Sequence, residues 1–159
     1  EEKAEAVRAA GADEVVVYPR APLDKDQSKA LAEAFKAACG PGGANVVYDI
    51  IGGDYSEPAV RAIAWEGRFC VVGFTAGIAR LPLNLTLLKS CDVAGVFWGA
   101  FAAREPQANA AHIAKLFELL KEHKINPRVS ATFPLERGGE AIKMLADRKA
   151  IGKVVVTMD

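Results

Sequence analysis

Val15-Val16-Val17-Tyr18 and Val46-Val47-Tyr48-Asp49-Ile50-Ile51 are near-continuous runs of β-forming residues, without the apolar–polar alternation of a sheet that has one wet face. Such runs suit strands covered on both sides, as happens where helical crossovers return the chain to a parallel sheet. Arg68 to Phe74 and Asp92 to Trp98 read as two further strands. Between the runs the apolar spacing becomes helical. Ala4, Val7 and Ala10 form a stripe that stops at Gly11. Ala30, Leu31, Ala34, Phe35 and Ala38 form a second, capped by Asp26 or Ser28 and ended by Gly40-Pro41-Gly42-Gly43. Ala59, Val60, Ile63 and Ala64 supply a third, with Ser56 as its cap and Pro58 in its first turn. Pro106 opens the longest helix, with Ile113, Leu116, Phe117 and Leu120 on one face and Lys115, Glu118, Lys121 and Glu122 on the other, ending near Ile125-Asn126-Pro127. Strand and helix in repetition predict an α/β parallel sheet wrapped by helices, its crossovers right-handed. Past Pro127 come a strand at Val129 to Phe133, a helix across Glu140 to Arg148 and a strand at Lys153 to Thr157, with fewer apolar residues per element and therefore assigned to a different sheet.

Composition narrows the function classes. At 159 residues, about half of them apolar, the chain can bury a sizeable core. Twenty basic residues balance twenty acidic ones, so neither nucleic acid nor an anionic membrane is attracted as a whole, and the expected partners are small molecules or protein. Cys39, Cys70 and Cys91 are odd in number and widely spaced, and His112 and His123 are the only histidines. That supports neither a disulfide framework nor a metal site, and the thiols are expected to be free and buried in a reducing compartment. No apolar run approaches a spanning helix, so the default setting is cytoplasmic. The chain opens on Glu1-Glu2-Lys3, already in a helical pattern and without methionine, as though it continued something upstream.

In open parallel sheets ligands bind beyond the carboxyl ends of the strands. Four such places are expected along one edge: Tyr18, Asp49 to Gly53, Gly73 to Gly77, and Phe97 to Gly99. Gly52-Gly53 is either a tight turn or a place where backbone approaches a ligand, and Gly73-Phe74-Thr75-Ala76-Gly77 offers the same alternatives with one hydroxyl. Asp49 either caps the next helix or accepts from a ribose hydroxyl. Tyr18 either closes the strand's apolar face or stacks on an adenine, and Phe97 and Trp98 either join the core or line a flat ring's pocket. His112 and His123 lie three turns apart on one helix and make no pair, and His123 serves the helix dipole. No Ser-His-Asp arrangement, carboxylate pair or phosphate-cradling loop is present.

Taken in order, EKAEAVRAAGADEVVVY, VVYDIIGG, GRFCVVGFTAG, LPLNLTLLKS, GVFWGAF, the Pro134-Leu135-Glu136 step and ADRKAIGKVVV resemble the zinc-free quinone oxidoreductase branch of the medium-chain dehydrogenase/reductase superfamily, across nearly the whole chain. The resemblance implies part of a Rossmann dinucleotide domain over residues 1–127, without its glycine-rich turn, and a return to a GroES-like catalytic domain over 128–159, with Glu1 falling at the helix after the second Rossmann strand. It implies hydride transfer from NADPH, with NADH as the alternative, to a quinone or an activated C=C bond, without metal. An enoyl-CoA or polyketide-type enoyl reductase competes within that class, and a non-catalytic nucleotide-binding or dimerisation module competes outside it. Position by position, it places Lys3 at the 2′-phosphate, Tyr18 at the adenosine end, Ile50, Gly52 and Gly53 at the turn beside the cofactor, and Gly73, Phe74 and Thr75 beside the nicotinamide half. Phe97, Trp98 and Gly99 match a segment whose backbone bonds the carboxamide, and Arg148 a late position reaching the cofactor. It names no general acid in these residues. A homodimer through Leu81 to Trp98, one strand joining its symmetry mate, completes the expectation.

Overall fold

The computed structural model describes residues 2–158, so Glu1 and its expected place on the first helix lie outside the described residues. The chain divides into two compact units, Glu1–Trp98 and Gly99–Asp159.

The first unit carries a parallel sheet of three strands, β1 (Ala44–Asp49), β2 (Ile63–Val71) and β3 (Asp92–Gly95), in the spatial order β1-β2-β3. Register is regular toward the carboxyl ends, where Tyr48 pairs with Cys70 and Cys70 with Ala94, while a bulge interrupts the pairing between Ala44 and Val46. Parallel neighbours require crossovers, supplied by α3 (Ser56–Arg61) between β1 and β2 and by α4 (Asn84–Lys89) between β2 and β3. The core lies between one sheet face and these helices: Val60, Ile63, Phe69, Leu85 and Cys91 are buried together, with Val47 and Val71 packed on them. On the opposite face Val46 and Tyr48 are 61% and 69% exposed.

Two helices precede the sheet, α1 (Glu2–Ala9) and α2 (Lys25–Cys39). Neither Asp26 nor Ser28 caps α2. Asp24 does, accepting from the Gln27 backbone N–H at 2.8 Å while the Asp24 N–H donates to Gln27 Oε1 at 3.0 Å, a reciprocal box that satisfies two end groups.

The principal correction concerns Val15 to Tyr18, which belongs to no strand. In a doubly wound sheet of order 3-2-1-4-5-6, a third strand lies at the far edge from the fourth and pairs with the second. The observed consecutive order fits the 4-5-6 half, and no strand among the described residues is placed to pair with Val15 to Tyr18. Other boundaries also move. Ile63 and Ala64 are buried in β2 and not in α3, β1 ends at Asp49, β2 ends at Val71, and β3 ends at Gly95, so Trp98 opens a helix, α5 (Trp98–Arg104), that the strand pattern had absorbed. Ser56 lies inside α3 and its hydroxyl turns back to Asp49. Of the thiols only Cys91 is buried; Cys70 is half-buried and Cys39 exposed.

The second unit holds α6 (Pro106–Lys121), then a separate two-stranded parallel sheet, β4 (Val129–Pro134) with β5 (Lys153–Thr157), joined through α7 (Gly138–Ala146). Pro106 sits in the first turn of α6 as expected, but its apolar stripe is not buried: Ile113, Leu116, Phe117 and Leu120 are exposed. No helix among the described residues is long and apolar enough to cross a membrane.

Candidate functional site

The parallel register puts Asp49, Val71 and Gly95 in one row across the sheet, so the chain leaves all three strands at the same edge. Backbone bonds stitch the departing loops together. The N–H groups of Val72 and Gly73 donate to Asp49 O at 2.8 and 3.1 Å, Ala76 N–H to Ile51 O at 2.8 Å, Gly53 N–H to Gly77 O at 2.7 Å, and Val96 N–H to Val71 O at 2.8 Å. Three of the four expected tips are thus brought together by hydrogen bonds that need no particular side chain.

Asp49 organises the first turn. One carboxylate oxygen accepts from the backbone N–H groups of Ile51 and Gly52 at 2.8 and 2.9 Å, and the other accepts from the Ser56 hydroxyl at 2.5 Å. Of the two roles open to Asp49, the structure displays that of holding backbone at the start of the next helical segment.

Gly52 and Gly53 have φ of +71° and +58°. A Cβ on Gly52 would stand 2.5 Å from Gly77 O, and one on Gly53 2.6 Å from Ala76 O. The two-glycine turn is therefore required by the neighbouring loop, which approaches too closely for any side chain. Gly73 is confined in the same way, its Cβ position lying 2.9 Å from Ile50 O. The consequence is a tight floor of backbone where the loops after β1 and β2 meet; Phe74, in the loop after β2, is 67% exposed, and Phe97 and Trp98, which follow β3, are 78% and 63% exposed. Thr75 is tied to this floor, its hydroxyl donating to Ile50 O at 3.4 Å, and Ile50 itself is half-exposed.

Tyr18 reaches the same side of the unit by another route. Its ring tilts against Tyr55 with centroids 4.9 Å apart and meets the edge of Phe35 at 6.3 Å. The Tyr55 hydroxyl accepts from Ala21 N–H at 2.6 Å and donates to Pro19 O at 3.0 Å, and Leu23 N–H donates to Asp54 Oδ2 at 3.0 Å. Tyr55 closes a one-turn 3-10 helix, Gly53–Tyr55, that follows the β1 turn directly. Partial burial pushes the Tyr18 phenol above its ordinary value, and the neighbouring Tyr55 and Asp49 act in the same direction. Sequence reasoning did not find Tyr55 or Asp54 as part of this region: their partners lie 34 and 31 positions upstream, and nothing in the local pattern joins them.

The remaining expected residues stand elsewhere. Lys3 is on the exposed side of α1, and Gly99 and Arg148 are in the second unit, Arg148 just past α7 with φ +56°. His112 stacks on Phe101 at 5.4 Å. His123 follows α6 with φ +55°. An open groove of about 940 Å³ lies between α2, α3 and the 76–80 loop; its walls mix Lys25, Lys29 and Arg80 with the ion pairs Lys36–Glu33 and Arg61–Glu57, at 2.8 and 2.6 Å. Charge of both signs gives it no preference for an anion.

A family model described as zinc-binding dehydrogenase matches residues 10–156. A quinone oxidoreductase-like protein 2 homolog of Nematostella vectensis is 36% identical over 157 residues, covering 98% of this chain and 41% of the relative. Among solved structures, a probable oxidoreductase from Mycobacterium abscessus is 33% identical with a TM-score of 0.73, covering 99% of this chain and 44% of that one. A mycobacterial protein complexed with NADPH shares the fold at a TM-score of 0.82 and 24% identity, covering 99% and 46%. The chain thus spans less than half the length of these relatives. The family description carries zinc, yet among the described residues no three His, Cys, Asp or Glu come together as donors.

Proposed function

The chain belongs to the zinc-binding dehydrogenase family, and from that membership and the edge of its sheet we propose that it forms the nicotinamide-facing part of an NADPH-dependent, zinc-independent reductase of quinones or activated C=C bonds. The observation that carries this is the row Asp49–Val71–Gly95, which delivers three loops to one edge, with Phe74, Phe97 and Trp98 exposed in them. A flat, uncharged ring needs such a surface: aromatic side chains to confine its faces and backbone groups to fix its rotation. The resemblance to quinone oxidoreductase-like relatives supports the acceptor class, and the NADPH held by a protein of the same fold supports the cofactor.

A bound dinucleotide would supply a hydride from nicotinamide C4, and this chain's residues would supply position. Gly73, Phe74 and Thr75 would hold the nicotinamide half, and the backbone at Phe97 and Trp98 would bond its carboxamide. Ile50, Gly52 and Gly53 would line the turn beside the cofactor, Tyr18 would flank the adenosine, and Lys3 would meet the 2′-phosphate. Holding donor and acceptor in one geometry and excluding water accounts for much of the acceleration in such transfers. No side chain here is assigned as proton donor. Gly99 and Arg148, in the second unit, rest on the family resemblance alone.

In this reading the protein works in the cytoplasm as a homodimer. The outer edge of β3 pairs with no other strand among the described residues, and Leu83, Leu87 and Leu88, on the crossover that leads into β3, are exposed. Sedimentation of the intact protein as a monomer at micromolar concentration would remove that element.

The test is titration of the intact protein with NADPH and with NADH, following nicotinamide fluorescence, and then turnover with a quinone beside an enoyl thioester. NADPH binding and quinone reduction are expected. Binding of neither dinucleotide would leave only a structural module, and turnover of the thioester alone would move the assignment to enoyl reduction.

A further inference from the structure

Val15 to Tyr18 is a strand-like run that is in no strand, yet Tyr18 has a defined place. What fixes it comes from the far side of the β1 turn. The Tyr55 hydroxyl is bonded on both sides, to Ala21 N–H and to Pro19 O, its ring lies against Tyr18, and the adjacent Asp54 carboxylate takes Leu23 N–H. Tyr55 is in turn rigidly placed. The 3-10 turn that carries it starts at Gly53, whose N–H is bonded to Gly77 O, and is followed at once by Ser56, bonded to Asp49. One hydroxyl therefore links the segment carrying Tyr18 to the turn beside the nicotinamide floor.

We propose that Tyr55 is a positioning residue for the adenosine half of the dinucleotide: its hydroxyl holds Pro19 and Ala21, and its ring sets the tilt of Tyr18, so that the adenosine flank and the nicotinamide floor keep a fixed separation. This rests on the reading of Tyr18 given above. Both hydroxyl bonds are solvent-exposed, so each contributes modestly. The effect belongs on affinity for one half of the cofactor and not on the chemical step, which is made elsewhere.

The experiment compares the intact protein with Tyr55→Phe, which keeps the ring against Tyr18 and removes only the hydroxyl, and with Asp54→Ala, which releases Leu23. Adenosine 2′,5′-bisphosphate and reduced nicotinamide mononucleotide serve as separate probes of the two halves. Tyr55→Phe should weaken the adenosine probe and raise KM for NADPH by about three- to tenfold, the range expected for one or two exposed hydrogen bonds, with the nicotinamide probe and kcat at saturating NADPH retained. Asp54→Ala should act in the same direction, more weakly. Amide exchange at Ala21 should quicken in Tyr55→Phe. Unchanged affinity for the adenosine probe, or equal weakening of both probes, overturns the proposal, the second result meaning a general structural role. A wild-type protein that binds neither probe overturns the functional reading first and this one with it, so the control separates the two failures.

Discussion

The two units of the chain draw on similar residue types and arrive at different interiors. In the first, a central strand with a helix over each crossover buries Phe69, Ile63 and Val60 almost completely. In the second, a two-stranded sheet with α7 packed on it, preceded in the chain by α6, leaves Ala141 as the only buried apolar residue among those described, while Ile142, Leu145, Leu116 and Phe117 stay exposed. The difference is one of layers. Apolar stripes bury one another only when a second layer faces them, and two strands with a single helix do not make a closed core. The edge that carries the candidate site belongs to the unit that has its own interior.

Truncating the same residue type in each unit should give the largest contrast. Phe69→Ala removes a fully buried ring and should cost about 3–5 kcal/mol, read as a shift of the denaturation midpoint. Phe117→Ala removes a ring that is 59% exposed and should cost about 1 kcal/mol or less. Equal losses would break the contrast, because they would mean that the α6 stripe is covered in solution.

Glycine gives the next test, with opposite signs expected. Gly52→Ala forces a Cβ into a left-handed backbone position and against Gly77 O, and should destabilise by about 2–4 kcal/mol. Gly139 lies in α7 with open space at its Cβ position, so Gly139→Ala should stabilise by up to about 1 kcal/mol through helix propensity. If Gly52→Ala were tolerated without loss, the tight floor under the candidate site would not exist as described.

These two sites also show what was legible in the sequence. Helices α2 and α6 followed from apolar spacing and from glycine and proline punctuation, because those signals act within a turn or two. The Asp24–Gln27 box was equally local, an acidic residue three positions before a glutamine, and was passed over for Asp26 and Ser28. The fate of Val15 to Tyr18 was not legible, because a strand is a pairing, and its composition hardly differs from that of Val46 to Tyr48, which has β2 beside it. The convergence of the β1, β2 and β3 tips could be foreseen because parallel topology alone dictates it. The reason for Gly52-Gly53 could not, since the carbonyls that forbid a side chain there belong to residues 76 and 77. Tyr55 was invisible for the same reason, its hydroxyl being spent on backbone more than 30 positions away.

The smallest expected effect lies in the second unit, where surface electrostatics stands in for burial. Arg137 and Glu140 form a two-pronged pair, Nε to Oε1 and Nη2 to Oε2, both at 2.7 Å, and the Arg137 guanidinium lies 5.6 Å from the centre of the Phe133 ring. The hydrogen bonds from Arg137 hold the Glu140 carboxyl below its ordinary value. A carboxyl depressed in the folded state binds fewer protons there than in the unfolded chain, so its contribution is present above the ordinary glutamate range and is lost as pH falls through the folded value. Glu140→Gln should therefore lower stability slightly at neutral pH and low salt, with the difference from wild type closing on acidification below about pH 4 and on addition of salt. Denaturation midpoints of the two proteins across that range measure it. A gap that persisted in acid or in high salt would mean that Glu140 acts through packing, and the second unit would then hold more of an interior than its exposed side chains indicate.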